Sequence, residues 1–143
     1  MKRADIYIKT DSSSPKATER WYGYVLELKH NGETRTREGF GTVTATYHQA
    51  ILTALIEAIE RFREECEIHI HTEDVFILNM MEQNLETWAE NGFRTAKGKA
   101  VANREEWIRV WQQSKRHLIL AEPGEHEYSG WLLSEIKTKK ERE

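Results

Sequence analysis

The chain has 143 residues, which fits one domain able to bury a core without disulfide or metal staples. Hydrophobic residues make up 38% and charged residues 31%, and no run approaches the roughly 18 apolar residues that span a bilayer, so a transmembrane helix is excluded. A net charge of −3 excludes binding to nucleic acid through overall basicity, so any such binding falls to a local patch.

The first residues, Met1-Lys2-Arg3-Ala4-Asp5, hold no apolar leader core, and Cys66 is the only cysteine, so no intrachain disulfide is possible. A reducing, cytoplasmic setting is the expectation. Asp5 to Asp11 alternates as a strand and ends at Ser12-Ser13-Ser14-Pro15. Trp21 to Leu28 is a second strand, rich in aromatic and branched residues. Asn31-Gly32 follows, a pair suited to a hairpin turn in which both residues take positive φ, so a third strand is expected over about Thr34 to Thr42.

Thr46 and Gln49 have capping-box spacing, and the apolar residues from Ala50 to Phe62 recur at helical intervals. Cys66 to His71 reads as a fourth strand, with Ile68 and Ile70 on one face and Glu67, His69 and His71 on the other. A helix is expected from Asp74 to about Met81, and another up to Glu90, stopped by Asn91-Gly92. Asn103 and Glu106 again have capping spacing before a helix carrying Trp107, Ile108 and Trp111. His117 to Ala121 is a fifth strand, broken by Pro123-Gly124, and a last helix runs from about Tyr128 to Lys137. Residues 137–143 read as a frayed basic tail. The order β-β-β-α-β-α-α-α-β-α predicts an α/β domain over residues 1–143. Its mixed five-stranded sheet would have three antiparallel strands, then two parallel ones, with helices on both faces.

The most informative stretch runs from Thr72 to Trp107. Thr72-Glu73-Asp74 closes an apolar strand and opens a helix. Trp88-Ala89-Glu90-Asn91-Gly92-Phe93-Arg94 and Lys97-Gly98-Lys99 then form a basic, aromatic loop before the next helix. With Asp11-Ser12-Ser13 at the end of the first strand, this order resembles ribonuclease H of the cellular, bacterial type, over nearly the whole chain. The resemblance implies a nuclease that hydrolyses RNA within RNA/DNA hybrids. Clustered carboxylates would hold two magnesium or manganese ions about 4 Å apart.

Carried onto this chain, the resemblance makes Asp11 the first metal ligand and Glu73 the ligand at the end of the fourth strand. Asp74 is an alternative ligand or the cap of the next helix. Glu135 falls near the carboxylate of the last helix. His126, beside Glu125, falls near a mobile proton-shuttling histidine. The family's glutamate early in the first long helix falls on Ala50 or Gln49, neither of which supplies an anion. That departure implies a weakened second metal, weak or manganese-preferring cleavage, or a module that binds nucleic acid or a protein without cutting. Arg94, Lys97, Lys99 and Arg104 would meet phosphates, and Trp88 and Phe93 would pack on sugars or bases. Trp107 reads as core. No zinc-type Cys/His spacing, phosphate loop or nucleophile elbow is present.

Overall fold

The computed structural model describes all 143 residues, Met1–Glu143. The strands are β1 (Lys2–Thr10), β2 (Thr18–His30), β3 (Glu33–Ala45), β4 (Cys66–Thr72) and β5 (Leu118–Pro123). The helices are α1 (Tyr47–Ile59), α2 (Val75–Gln83), α3 (Leu85–Glu90), α4 (Arg104–Ser114) and α5 (Ser129–Glu141). The sheet order is β3-β2-β1-β4-β5, with β1, β2 and β3 antiparallel and the β1–β4 and β4–β5 pairs parallel. The expected mixed sheet is therefore the one observed.

The period-two pattern sorts the central strands into two faces. Ala4, Ile6, Ile8, Ile68 and Ile70 are wholly buried and meet the apolar stripe of α1 (Ile51, Leu52, Leu55, Ile59). Helices α2 to α4 extend this layer, where Trp107 is 2% exposed and stacks obliquely on Trp88 with ring centroids 5.4 Å apart. The opposite face is thinner. Only α5 covers it, seating Leu132 on Tyr7 and Val25.

Local signals set the element ends. Asn31 (φ 52°) and Gly32 (φ 79°) make the β2–β3 turn, two residue types that tolerate its positive φ. Thr46 caps α1 by accepting the Gln49 N–H at 3.2 Å. Asn103 does not form the expected capping box. It takes a left-handed conformation (φ 59°) and makes no side-chain cap. Residues 137–141 are helical rather than frayed, because Ile136 is buried and Lys140 is held by an ion pair to Asp11.

Trp107 fills the space between α4 and the rest of the helical layer, so Trp107→Ala is expected to cost roughly 3–5 kcal/mol, read from a denaturant titration. A loss under about 1 kcal/mol would show that the layer closes without it.

Candidate carboxylate cleft and basic loop

Parallel pairing of β1 with β4 brings the C-terminal ends of both strands side by side, with Tyr7 opposite His71. Asp11 follows β1 and Glu73 follows β4, and both line one cavity of about 180 Å³. Two of the expected site residues are thus brought together from opposite halves of the chain.

The rest of the cavity wall differs from the expectation. Helix α1 contributes Tyr47 and Ile51, and α5 contributes Leu133. Ala50 is buried in the core, and the Gln49 amide points away, 3.4 Å from Glu106. The α1 position facing Asp11 and Glu73 is therefore Ile51, one helical turn after Tyr47, and it is aliphatic. Sliding the apolar pattern by one residue would have found it, but Ala50 and Ile51 are both buried and look alike in a helical stripe.

Asp74 does not reach the cavity. Its carboxylate is 1% exposed; Oδ1 accepts the Ile77 N–H at 3.1 Å and caps α2, and Oδ2 lies 2.7 Å from His48 Nδ1. Placement leaves Glu73 as the strand-end carboxylate of the cleft. Glu135 lies on the wrong side of α5. It sits between Trp131 and Lys139 on one i, i+4 row, and both of these face Phe40 of β3. The row turned toward Asp11 carries Gly130, Leu133, Lys137 and Lys140.

His126 is tethered rather than mobile. Its Nε2–H donates to the Ile8 carbonyl at 2.9 Å, and Nδ1 accepts the Tyr128 N–H at 3.2 Å. Burial pushes its pKa below the ordinary imidazole value, more than the Ile8 carbonyl raises it, so the ring is neutral near pH 7. Both nitrogens are used in fixing the start of α5.

Each cleft carboxylate already has a cation. Lys9 Nζ lies 2.6 Å from Glu73 Oε1, and Lys140 Nζ lies 3.1 Å from Asp11 Oδ2. Asp11 Oδ1 is buried with no hydrogen-bond partner. Behind the loop sits Arg20, 0% exposed. Its guanidinium donates to the carbonyls of Ser12 (2.6 Å), Ser14 (2.7 Å), Lys16 (2.9 Å) and Ala45 (3.4 Å), and to Ser12 Oγ (3.0 Å). The planar fork of Arg20 thus gathers the loop that presents Asp11. Sequence reading missed Lys9 and Arg20 and placed Lys140 in a frayed basic tail. Lys9 alone left a trace, since alternation puts it on the same face of β1 as Tyr7.

These residues do not fit a pair of divalent ions. Magnesium needs near-octahedral oxygen ligands, whereas this cleft offers two carboxylates bound to ammonium groups, and α1 and α5 add Tyr47, Ile51 and Leu133, none of them an anion. No group of three or more His, Cys, Asp or Glu side chains has metal-holding geometry.

The basic loop between α3 and α4 is a small hairpin. Arg94 and Ala100 form a bridge, the Thr95 N–H donates to Lys99 O at 2.7 Å, and Gly98 takes φ 82°. Lys97, Lys99 and Arg104 are exposed, as is Arg94, which also donates to Gly98 O at 3.1 Å. The Phe93 expectation is corrected. Phe93 is 7% exposed within the core and is not free to stack on a base, whereas Trp88 packs on Trp107 and stays partly exposed.

The open sheet face carries a polar belt. His69 lies 2.8 Å from both Glu67 and Glu122, and His71 lies 2.8 Å from buried Asp5 and stacks on Tyr7 at 4.2 Å. Burial opposes the His69 charge, yet hydrogen bonds to Glu122 and Glu67 outweigh it and raise its pKa. Burial also opposes the Asp5 charge, and His71 and Arg3 outweigh it and lower its pKa.

The family model for RNase H matches residues 3–122, which ends at β5 and leaves α5 outside the match. A ribonuclease H from Chelativorans sp. (strain BNC1) is 33% identical over 119 residues, 83% of this chain and 71% of that protein. Among solved structures, LC9-RNase H1, described as a type 1 RNase H with the type 2 active-site motif, superposes with a TM-score of 0.75 at 16% identity. That superposition covers 100% of this chain and 74% of the other. The foamy viral protease-reverse transcriptase in complex with RNA/DNA hybrid superposes with a TM-score of 0.66 at 17% identity, over 85% of this chain and 17% of that one.

Removing the Arg20 fork loses one bond to a buried carbonyl, that of Ala45, and releases the carbonyls of the exposed Ser12, Ser14 and Lys16 to water, so Arg20→Met is expected to lower stability by about 1–3 kcal/mol and to speed tryptic cleavage after Lys16. An unchanged cleavage rate would show that the loop holds itself. The His69 cradle makes a pH prediction. Its folded pKa is raised, so its contribution is complete below the unfolded value of about 6.5 and is lost as pH rises through the folded value. The gap in denaturation midpoint between wild type and His69→Gln should therefore be wider at about pH 5.5 than at about pH 8.5. A gap that widens with pH would reverse the assignment.

Proposed function

From the premise that the chain belongs to the ribonuclease H family, a family of nucleases that use divalent metals, we propose that it binds RNA/DNA hybrid on the family's fold without two-metal cleavage. One observation carries this reading: the cleft walls supplied by α1 and α5 are Tyr47, Ile51 and Leu133, with no carboxylate among them. A two-metal displacement needs anionic ligands on several sides to hold both ions against the attacking and leaving oxygens. Here two remain.

Binding falls to the exposed cations of the loop between α3 and α4. Arg94, Lys97, Lys99 and Arg104 stand on or beside a hairpin whose Phe93 is buried in the core, so the contact is mainly electrostatic and follows the phosphate backbone. Discrimination of hybrid from DNA duplex then rests on the shape of the wide minor groove and on 2′-hydroxyls. The partner analogy comes from the reverse transcriptase whose structure was determined with RNA/DNA hybrid.

A second reading, hydrolysis of the RNA strand at this cleft, is favoured by Asp11 and Glu73 sharing one cavity and by the unpartnered Asp11 Oδ1. One experiment separates the two. A labelled hybrid is titrated with protein at several salt concentrations, and the bound sample is then run on a denaturing gel after incubation with millimolar manganese. The expected result is salt-sensitive binding with an intact RNA strand. Replacing Lys97 and Lys99 by alanine should make the log K against log salt slope shallower by roughly 2. Cleavage that disappears in Asp11→Asn would establish the second reading, and binding indifferent to salt would remove the loop from the first.

A further inference from the structure

The cleft holds two carboxylates and, around them, three cationic side chains. Lys9 sits on Glu73 at 2.6 Å, with 20% of its side chain exposed. Lys140, from the last turn of α5, sits on Asp11 at 3.1 Å. The third, Arg20, lies wholly buried behind the Asp11 loop and bonds only carbonyls and a serine hydroxyl, so no carboxylate among its partners cancels its charge. Lys9 and Lys140 match Glu73 and Asp11 one for one, and Arg20 adds a positive charge behind the loop.

We propose that Lys9 and Lys140 are resident counter-ions of this cleft, taking over the charge balance that divalent cations provide in the family, so that the protein engages nucleic acid without a metal ion. This rests on the hybrid-binding reading. The physical argument has three parts. A divalent ion entering the cleft competes with an ammonium group already at each carboxylate. Once there, it gains no oxygen from Ile51 or Leu133, and the other oxygen-bearing residues of the lining (Thr10, Ser12, Ser13, Tyr47 and Thr72) are neutral, so no further anion holds it. Finally, it meets the field of Arg20, which is poorly screened because the guanidinium is buried. A lysine ammonium is a compact point charge on a flexible stem, suited to sitting where a metal ion would. The Lys9 pair is the firmer of the two. Lys140 is 49% exposed, and its pair is more open to screening by salt.

The test reads manganese directly. The electron paramagnetic resonance signal of free manganese is followed as protein is added, alongside thermal melting with manganese and with chelator. Wild type is expected to leave the free-ion signal and the melting temperature unchanged. Lys9→Met/Lys140→Met is expected to deplete the signal and to melt higher in manganese, and adding Asp11→Asn should abolish both effects. Lys9→Gln alone, at the cleft rim, gives a partial depletion and serves if the double variant does not fold by circular dichroism. Depletion by wild type that Asp11→Asn removes would overturn the proposal. So would folded lysine variants that take up no manganese. Hybrid affinity is measured in parallel and is expected to be equal in chelator and in magnesium. Total absence of hybrid binding would defeat the hybrid-binding reading while leaving the manganese measurements to decide the counter-ion role.

Discussion

The parallel pairing of β1 with β4 is the constraint on which the candidate site depends. Strands that run the same way end at the same edge of the sheet, so the residues following Thr10 and Thr72 converge although about sixty positions separate them. That pairing is itself enforced by burial. Ala4, Ile6, Ile68 and Ile70 form the centre of the apolar face, and a slip of one residue would turn them to the polar side and bring His69 and His71 into the core. The register that buries the isoleucines is the same register that sets Asp11 beside Glu73.

Around that fixed edge, charge is balanced by basic side chains from separate elements. Lys9 belongs to β1, Arg20 to β2 and Lys140 to α5, so the ends of the sheet, the loop after β1 and the last helix are tied through one electrostatic cluster. The polar belt on the open face follows the same logic, pairing His69 with Glu67 and Glu122 and His71 with Asp5. Buried or half-buried charges persist in both places because each has a partner of opposite charge or a set of hydrogen-bonding carbonyls.

Much of the architecture was legible in the chain. Alternation in β1 and β4, the Asn31-Gly32 turn and the Thr46 cap are local features whose causes lie within a few residues, and all three appear as read. The Asn103 cap failed because the backbone there is left-handed, leaving its side chain unable to reach the helix N–H groups. Phe93 was misplaced for a different reason. An aromatic residue in a basic loop reads as a ligand contact, but the hairpin from Arg94 to Ala100 folds Phe93 back under the core.

The site divides along the same line. Sequence by itself determined the order of elements, the family resemblance and the presence of Asp11 and Glu73 at strand ends, since these depend on short-range pattern. Tertiary structure alone decided that Ile51 and Leu133 wall the cleft, that Asp74 turns inward to His48, that Glu135 faces β3, and that Lys140 reaches Asp11. Each of these turns on which side of a helix meets a distant strand. A rotation of 100° per residue moves a side chain from the cleft to the opposite flank within two positions, and only the packed assembly of helix and sheet fixes that angle.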